Sequence, residues 1–516
     1  MTGLMTSWSE DAPLRQAQIN LDAFRHNVRT LRELVAPAQT MIAVKADGYG
    51  HGMVPLAQAA LEAGASSLAV LDIPAALELR AAGISAPIFA WVFGSDADFA
   101  AAADADIDLG ISATWQLERI VSSASGSAPR VHLKVDTGLS RNGATVAEWP
   151  GLVQAALDAD AAGKVRLYAA WSHLADASPA DDAEALFQFR NAVALAESLG
   201  ARFSLLHLAA SSAGIRMPEA RLDLVRFGIG AYGISPFEDR TARELGLRPV
   251  MTLVSAVAST KPVPAGHGVS YGMVYRTTEE TTLALVPVGY ADGVPRAATG
   301  RAEVWIGGKR HPVVGRIAMD QFVVDVGKDA VSPGDQVVLF GEGNPGIPTA
   351  EEWAHWAKTI GDEIVVRIGP RVARVYLTDG PSQSQPAEGV RIIENPEAMH
   401  ACGVEFASCL AAGDLLVLTG ELGAGKTTFA RGLGEGLGVR GPITSPTFVL
   451  ARTHPNLTSG IPLVHVDAYR LNSAAELDDL DIDFVGSIVV VEWGKGLIER
   501  LADNYLELVI DRPHGA

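Results

Sequence analysis

The sequence predicts a multidomain α/β protein: a (β/α)8 barrel, then an all-β domain, then a P-loop α/β domain. Three observations support this order. From Ile19 to about Gly246, short apolar runs alternate with amphipathic helical windows. From about Leu247, short strands are bounded by Gly, Pro and Asp turns. Later, a glycine-rich loop separates an apolar run from a helical one.

The first predicted domain covers residues 1–246. We expect strands or strand ends in the runs AQINLDAF, TMIAVKADG, SLAVLD, PIFAWVF, VHLKVDTG, RLYAAWSHL and FSLLHLAAS. Between them lie Ala- and Leu-rich helical windows such as HGMVPLAQAALEAG. Repeated strand–helix alternation of this length is typical of a TIM-like barrel. A doubly wound open sheet is the alternative, and periodicity alone does not separate the two folds.

Residues 247–380 are predicted to form the all-β domain, because segments such as TTLALVPVGYADG and GDQVVLFGEG are short strands with no long helices between them. Residues 381–389, PSQSQPAEG, are polar and rich in Pro and Ser, so we expect an interdomain linker there. Residues 390–516 then begin a new α/β unit with a helix and the strand DLLVLTG.

Composition limits the function classes. The chain has 516 residues, 48% of them hydrophobic, and a formal net charge of −19, which argues against a broad basic surface that binds nucleic acid unaided. Its two cysteines, Cys402 and Cys409, provide neither a disulfide framework nor a zinc site. The N-terminus does not resemble a signal peptide, and no apolar run is long enough to cross a membrane. We therefore expect a cytoplasmic protein without membrane contact.

The segment AVKADGYGHG follows a predicted barrel strand, on the face where such barrels build active sites. Lys45 has an apolar strand behind it and Gly48, Gly50 and Gly52 ahead. Partial burial lowers the pKa of a lysine and makes the neutral amine available for a Schiff base. An isolated lysine at a strand end is more often a solvated surface residue, so the surrounding motifs decide the interpretation.

Seven further motifs follow in order: VHLKVDTGLSRNG, WSHLADAS, HLAASSAGI, LVRFGIGAYG, GVSYG, VGYADG and VGRIAMDQ. With AVKADGYGHG they resemble the alanine racemases, and the resemblance extends to about residue 380. It implies a pyridoxal 5'-phosphate cofactor, interconversion of L- and D-alanine for peptidoglycan, and a head-to-tail homodimer. Lys45 would carry the cofactor and act as the base for D-alanine. Tyr271, reaching the site from the second subunit, would be the base for L-alanine.

The resemblance assigns the remaining contacts residue by residue. The implied cofactor-binding residues are Lys45, Tyr49, His173, His207, Ser211, Arg226, Gly228, Ile229 and Tyr376. The implied substrate-binding residues are Arg141, Met319, Lys134, Tyr290 and Asp320.

Arg226 is implied to hydrogen-bond the pyridine nitrogen. Since a guanidinium keeps its proton, that nitrogen stays unprotonated and the ring is a weaker electron sink, which disfavours transamination. Arg141 would bind the substrate carboxylate. Lys134 corresponds to a lysine that is often carbamylated in the family, and carbamylation cannot be read from a sequence.

Two departures from the family pattern bear on activity. Ala210 stands where the family commonly has Asn, and TIGDEIV replaces an Asn-Tyr-Glu version, so that Asp362 stands where an entrance tyrosine is usual. The second change leaves serine or another small amino acid open as the substrate. A pyridoxal-phosphate homeostasis protein is a further alternative, which the β domain with Tyr271 and Met319 argues against.

The run VLTGELGAGKTTFARG has Gly420, four residues, then Gly425, Lys426 and Thr427, between a predicted strand and a predicted helix. This is a Walker A loop in its required context, in which the lysine neutralises phosphate oxygens and the threonine hydroxyl binds Mg²⁺. The strand SIVVVEWG ends in Glu492, where P-loop enzymes place an acid near the metal or the attacking water.

Together, GELGAGKTTFARG, ITSPTFVL, HVDAYRL and VVEWG resemble the small ATPase of bacterial tRNA threonylcarbamoyladenosine synthesis, the TsaE family, over residues 390–516. This implies an ATPase that serves partner proteins modifying adenosine 37 and meets tRNA only through them. A small-molecule kinase is the alternative. Implied metal contacts are Thr427 and Glu492. Implied ATP contacts are Glu421, Leu422, Gly423, Ala424, Gly425, Lys426, Thr427, Thr428 and Asp467.

Overall fold

The computed structural model describes residues 13–123, 127–341, 346–378, 393, 395–407, 410, 412–421, 423–441, 443, 450–456, 461–470, 480, 482–484, 486–493 and 505–510. The chain divides into two compact units, Met1–Leu377 and Thr378–Ala516.

The first unit begins with strand β1 (Arg15–Asn20) and then builds eight parallel strands. These are β2 (Gln39–Ala43), β3 (Ser67–Val70), β4 (Ile88–Ala90), β5 (Ile107–Ile111), β6 (Arg130–Lys134), β7 (Arg166–Trp171), β8 (Leu205–His207) and β9 (Leu224–Phe227), paired in the order β8-β7-β6-β5-β4-β3-β2-β9.

The two ends of this sheet meet. The Asp223 amide donates to the Leu206 carbonyl at 3.2 Å, and the Arg226 amide donates to the Ala209 carbonyl at 3.1 Å. Strand β9 therefore bonds to the segment of β8 on one side and to β2 on the other, as in a nearly closed barrel. This confirms the TIM-like barrel rather than the doubly wound sheet.

Helices surround the barrel. They are α1 (Leu21–Val35), α2 (Lys45–Gly50), α3 (Met53–Glu62), α4 (Ile73–Ala81), α5 (Phe99–Asp104), α6 (Thr114–Ser123), α7 (Trp149–Ala161), α8 (Pro179–Ser198) and α9 (Ser211–Arg216). Side-chain oxygens of Asn20, Asp72 and Ser178 accept the first free amides of α1, α4 and α8, which explains where these helices begin.

Alternation along β2 shows how one strand serves two layers. Met41 and Ala43 pack inside the barrel, whereas Ile42 and Val44 pack outward in the main hydrophobic core. Because both faces of a parallel strand are covered, the strand reads as an unbroken apolar run. The barrel strands consequently hold their carboxyl ends in one rigid ring.

The prediction that the run AQINLDAF forms a barrel strand was wrong. Strand β1 pairs antiparallel with β10 (Met251–Ala256) and parallel with β19 (Ala373–Leu377), in the sheet of the β domain. Ala17 and Ile19 are fully buried there. Apolar alternation identifies a strand but not the sheet that the strand joins, so only the tertiary structure decides.

The β domain continues from β10 with β11 (Ser259–Val263), β12 (Gly268–Val269), β13 (Tyr275–Arg276), β14 (Thr281–Val286), β15 (Glu303–Ile306), β16 (Lys309–Val314), β17 (Phe322–Gly327) and β18 (Gln336–Phe340). Its large sheet has the order β11-β14-β17-β16-β15-β18-β10-β1-β19. Two short helices, α10 (Ala350–Ala357) and α11 (Gly361–Val366), interrupt the predicted all-β pattern before β19. Thr349 and Glu352 form a capping box that starts α10.

The second unit contains helix α12 (Pro396–Ala407), strand β20 (Leu415–Thr419), helix α13 (Lys426–Leu437), β21 (Ala451–His454), β22 (Leu463–Asp467), β23 (Ile488–Glu492) and β24 (Leu506–Val509). The strand order is β21-β22-β23-β20-β24, with β20, β22, β23 and β24 parallel. The loop between β20 and α13 thus leaves the carboxyl edge of a parallel sheet. Among the described residues, no helix combines the length and the apolar character that a membrane span requires.

Candidate active sites

A cavity of about 1580 Å³ opens at the carboxyl ends of the barrel strands. Ten of the residues predicted from the sequence line it: Lys45, Tyr49, Lys134, Arg141, His173, Ser211, Arg226, Gly228, Ile229 and Asp362. Nine of them lie at or just after the carboxyl ends of five barrel strands, β2, β6, β7, β8 and β9, and Asp362 lies on helix α11, so the fold brings together positions that are far apart in the chain.

The turn that follows β2 has the opposite hand to an ordinary helix. Ala46, Asp47, Gly48 and Tyr49 all have φ near +55° and ψ between 38° and 51°. A side chain in this region costs about 1–2 kcal/mol per residue, and only glycine adopts it without strain. The Asp47 carboxylate holds the turn by accepting the Met53 amide at 2.8 Å. Strain of this kind is typical of functional sites.

Lys45 leads into that turn with its amine in the cavity. Burial lowers the pKa of Lys45, the nearby Arg141 lowers it further, and Asp362 opposes both effects. The amine lies 5.6 Å from the centre of the Tyr49 ring. A larger fraction of neutral amine than in a solvated lysine is what an amine nucleophile or base requires.

Arg226 is the buried cation of the site. One terminal nitrogen donates to His207 Nδ1 at 2.7 Å, and the other donates to the carbonyls of Ser172 and Leu208 at 2.7 and 2.8 Å. Burial lowers the pKa of Arg226 to about 9, so it stays charged at neutral pH. Among the described residues, its Nε has no protein acceptor.

His173 and His207 contact Arg226 on two sides. His173 Nδ1 lies 3.3 Å from an Arg226 nitrogen, and burial together with that guanidinium lowers the pKa of His173 to about 3. Burial and Arg226 also lower the pKa of His207 far below its ordinary value. Both imidazoles are therefore neutral. His207 lies behind Arg226 and does not line the cavity.

A small polar cradle lies beside Lys45. The Gly228 amide donates to Ser211 Oγ at 3.1 Å, and a Cβ on Gly228 would come within 2.4 Å of the Tyr49 hydroxyl. Only glycine fits between these groups. Ala210 caps helix α9 without any side-chain hydrogen bond, which is the consequence of the departure noted at that position.

Lys134 and Arg141 add two more cations to the cavity. Lys134 Nζ lies 4.4 Å from the Trp171 ring centre, and burial, Arg226 and Arg141 lower the pKa of Lys134 to about 8. Cations that crowd a buried site favour an anionic ligand there. Acidic side chains line the cavity as well, and among them Asp362 interacts with Lys45: burial raises the pKa of the Asp362 carboxyl, and Lys45 opposes that shift.

Besides His207, five of the residues predicted for this site do not line the cavity. Tyr271, Met319, Tyr290 and Asp320 lie in the β domain, where Tyr271 is 72% exposed and Met319 is 54% exposed. Their loops adjoin each other, since the Ala291 amide donates to the Met319 carbonyl at 2.9 Å and Ser270 Oγ donates to the Arg316 carbonyl at 2.7 Å. The fifth is Tyr376 on β19, whose hydroxyl packs against Gly52 instead.

The second unit has a site of its own at the end of β20. Lys426 Nζ donates to the Gly420 and Glu421 carbonyls at 2.6 and 2.9 Å and lies 3.9 Å from the Trp493 ring centre. Thr427 Oγ1 donates to the Glu492 carboxylate at 3.2 Å. Gly423, Ala424, Gly425 and Thr428 are described in the same loop and helix start, whereas Leu422 and the ITSPTFVL segment from residue 444 to 449 lie outside the described residues.

Sequence reasoning missed His465, which the fold brings to this site. Its Nε2 donates to Glu492 Oε1 at 2.9 Å, and both side chains are almost completely buried. Asp467 lies directly opposite Glu492 on the paired strands β22 and β23. The local signal was the spacing His-x-Asp in HVDAYRL, which puts both side chains on one face of a strand.

The comparisons with known proteins agree with the barrel site. The model of the alanine racemase N-terminal domain matches residues 19–236, and that of the C-terminal domain matches residues 250–376. The alanine racemase of Frankia casuarinae is 50% identical over 367 residues, which cover 70% of this chain and 96% of the relative. The chain belongs to the alanine racemase family.

Solved structures of this family extend the match to the fold. The alanine racemase from Streptomyces coelicolor A3(2) is 48% identical with a TM-score of 0.70, covering 72% of this chain and 100% of the other. The alanine racemase of the D-cycloserine producer Streptomyces lavendulae is 47% identical with the same TM-score, covering 71% and 98%. The match to the C-terminal domain argues against a barrel-only homeostasis protein.

The last part of the chain matches a different family. The model of the threonylcarbamoyl adenosine biosynthesis protein TsaE matches residues 393–515. The relatives named above cover about 70% of this chain, in agreement with a racemase followed by an additional domain. Alanine racemase activity is therefore supported for the first unit, and a role in tRNA modification is suggested for the second.

Proposed function

We propose that the chain is bifunctional. Its first unit interconverts L-alanine and D-alanine with pyridoxal 5'-phosphate, and so supplies D-alanine for peptidoglycan. Its second unit hydrolyses ATP with Mg²⁺ in support of threonylcarbamoyladenosine formation at tRNA adenosine 37. The observation that carries the first assignment is the grouping of Lys45, Arg226 and the Ser211–Gly228 cradle around one cavity.

The residues of the cavity fit the cofactor. Lys45 offers an amine of lowered pKa, Ser211 and the Gly228 and Ile229 amides suit a phosphate, and Nε of Arg226 suits a ring nitrogen. When bound, the cofactor withdraws electrons from the amino acid and acidifies its Cα–H bond. Arg226 stays protonated at neutral pH and so delivers only a hydrogen bond to the ring, which favours reprotonation over transamination.

Racemisation needs proton transfer on both faces of Cα. Lys45 serves one face, since its buried amine accepts and returns a proton. Tyr271 serves the other. Because Tyr271 is largely exposed and does not line the cavity of its own subunit, it acts in the cavity of a second copy, and the enzyme is a head-to-tail homodimer. The exposed apolar neighbours Met273 and Val274 suit a surface that is covered in the dimer.

His173 prepares Tyr271 for this role. Arg226 can only donate, so His173 Nδ1 accepts and the His173 proton resides on Nε2. An Nε2–H donor next to the tyrosine oxygen stabilises its deprotonated form and thus makes it a better base. The same contact orients the ring of His173.

The substrate carboxylate binds Arg141 with help from the Met319 backbone of the second subunit, and Tyr290 and Asp320 line the entrance. Once carbamylated, Lys134 braces Arg141. Its pKa of about 8 leaves a reactive neutral fraction at mildly alkaline pH, which is a requirement for carbamylation. The Asp362 side chain is acidic, and it is smaller than the tyrosine that is usual at this position. Serine is therefore the second substrate to be tested.

The shared site can be tested by subunit mixing. Lys45→Ala and Tyr271→Phe dimers are each inactive, but random exchange of subunits creates mixed dimers in which one of two sites is intact. About one quarter of wild-type alanine racemase activity should return. If mixing restores nothing although mass spectrometry detects mixed dimers, the assignment of Tyr271 to the neighbouring site is wrong.

In the second unit, Lys426 and the loop amides from Glu421 to Thr428 bind the ATP phosphates, and Thr427 with Glu492 binds Mg²⁺. Asp467 and Glu492 lie opposite each other on the sheet edge, close enough to organise metal and water. Purified chain should hydrolyse ATP faster when the partner proteins of the tRNA-modifying complex are added. ATP-dependent phosphorylation of a small molecule without such stimulation would favour the kinase alternative.

A further inference from the structure

A line of polar side chains crosses the interior of the barrel beneath the cofactor cavity. It runs from Asp108 on β5 through His132 on β6 and His207 on β8 to Arg226 on β9. Arg226 Nη1 lies 2.7 Å from His207 Nδ1, and His207 Nε2 lies 3.0 Å from His132 Nδ1. His132 Nε2 lies 3.4 Å from Asp108 Oδ2. Each of the four side chains is at most 7% exposed.

The position of every proton along this line follows from Arg226. A guanidinium has no acceptor, so His207 Nδ1 must accept and the single proton of neutral His207 must sit on Nε2. That N–H donates to His132 Nδ1, so the proton of His132 must also sit on Nε2. It faces the Asp108 carboxylate across an electrostatic contact that is longer than a good hydrogen bond.

The Asp108 carboxylate lies at the end of the line opposite Arg226 and is consistent with this direction of hydrogen-bond donation. Asp108 also accepts from Arg130 Nε at 2.5 Å, so its negative charge is held in place. An N–H pointing toward a fixed carboxylate is stabilised, whereas a ring lone pair pointing toward it would be repelled. Reversing the line would put two hydrogens between Arg226 and His207. The arrangement therefore has one allowed proton direction.

Aromatic rings keep other hydrogen-bonding groups away from the two imidazoles. Phe89 stacks on His132 with 4.6 Å between ring centres, and Trp171 stacks parallel to His207 at 5.6 Å. Rings packed in this way leave each imidazole little freedom to flip or to recruit water. Tyr168 contacts His132 from another side, at 5.5 Å, and forms no hydrogen bond within the line.

The geometry points to Asp108 and His132 as positioning residues, which fix His207 as an acceptor and thereby orient Arg226 toward the cofactor ring. This inference rests on the proposed racemase function of the cavity. Neither residue lines the cavity itself, so both act through Arg226. The alternative is that the buried polar cluster only packs the barrel core.

The first readout is the tautomer of His207, which needs no cofactor. Two-bond ¹H–¹⁵N spectra of the full chain with labelled histidines measure this tautomer. Subtracting the spectrum of His207→Gln identifies the His207 signals. In the wild type they should place the proton on Nε2. His132→Leu removes the acceptor of that proton, so a mixture of tautomers is expected. His132→Asn keeps an acceptor near the Nδ1 position and should restore the single tautomer.

The second readout is the concentration of pyridoxal phosphate that half-saturates the apoprotein. We expect an increase of about tenfold for His132→Leu, the size expected for one weakened hydrogen bond to a charged group, and less than threefold for His132→Asn. Asp108→Asn should lie between them, because its amide can present either a donor or an acceptor to His132.

Tyr168→Leu is the matched control. It removes packing against His132 and a ring contact with Arg130 but no hydrogen bond of the proton line, so it should lower the thermal midpoint yet leave the His207 tautomer and the half-saturation value within twofold of wild type. The inference is overturned if His132→Leu and Asp108→Asn, with folding verified by circular dichroism, behave like Tyr168→Leu in both readouts. A chain that has these tautomers but does not racemise alanine would refute the proposed function instead.

Discussion

The two sites use a buried histidine in opposite ways. In the barrel, His207 accepts a hydrogen bond from Arg226, a group that can only donate. In the second unit, His465 donates a hydrogen bond to Glu492, a carboxylate that can only accept. The side chains are alike in chemistry and in burial, so the partner determines whether the ring nitrogen that faces it carries the imidazole proton. These opposite roles suit the proposed functions, an anionic cofactor and substrate at one site and a metal-bound phosphate at the other.

The contrast between the two sites would fail most clearly if the two activities depended on each other. Lys45→Ala removes the amine that we assign to cofactor binding and proton transfer, so racemase activity should fall by about 10⁴-fold, the upper range for a proton-transfer group. Hydrolysis of ATP by the same variant should stay unchanged. Coupled assays for D-alanine and for phosphate release measure both on one preparation.

Lys426→Ala is the reciprocal variant, because it removes the charge that the loop carries for the phosphates. It should abolish ATP hydrolysis and leave racemisation intact. Loss of both activities in either variant, or loss of racemase activity on removal of residues 388–516, would contradict independent function of the two units.

Glu492→Gln tests the acidic site. Replacing the carboxylate by an amide removes the charge that Thr427 and His465 contact, so the rate of ATP hydrolysis should fall by about 10²- to 10³-fold. The Kd for ATP, measured by equilibrium dialysis, should change much less, since the loop amides and Lys426 remain. Equal losses in binding and in turnover would indicate that Glu492 is only a structural residue.

The buried histidines of the first unit should make the folded chain less stable at acidic pH. Burial lowers the pKa of His51 to about 4 and of His173 to about 3, and it lowers that of His207 as well, whereas unfolded histidine titrates near 6.5. The unfolded chain therefore takes up protons that the folded chain refuses, so stability is present above pH 6.5 and is lost as the pH falls. Each histidine contributes about 1.4 kcal/mol per pH unit in this range.

Urea unfolding of the full chain at several pH values between 7 and 5 measures this slope. His51→Gln should reduce it by the share of one histidine. A free energy of unfolding that does not fall over this interval would mean that these imidazoles are charged in the folded state, contrary to the burial of His51 and to the contacts of His173 and His207 with Arg226.

Substitution of His465 should have the smallest effect on activity among these predictions. His465→Leu removes one donor from Glu492, so turnover of ATP should fall by about tenfold, as for the loss of a hydrogen bond to a charged group. His465→Gln keeps an N–H near the Nε2 position and should stay within about threefold of wild type. If leucine and glutamine behave alike, the hydrogen bond has no role and only the volume of the side chain matters.

These residues also show which parts of the fold and of the sites could be predicted from the sequence. Lys45, Arg226 and Lys426 could be predicted because each lies in a local motif next to a strand, and the barrel followed from its repeated alternation. The sheet of β1 could not, because pairing with residues more than 200 positions away is decided by tertiary contacts. His132 and Asp108 carry no motif, and their role depends on the closure of the barrel. Asp362 stood out as unusual, but its position beside Lys45 required the packing of α11.

The left-handed turn after β2 has a consequence for how this segment can vary. Lys45 and Tyr49 are four residues apart, so one reversed turn brings both to the same side at an axial spacing of about 6 Å, from about 1.5 Å per residue. In the proposed function, this segment sets the distance between the Lys45 amine and the Tyr49 hydroxyl, which we assign to the cofactor. Inserting or deleting a single residue would rotate one anchor away from the other by about 100°. A change of length should therefore disrupt the site even when Lys45 and Tyr49 are both kept.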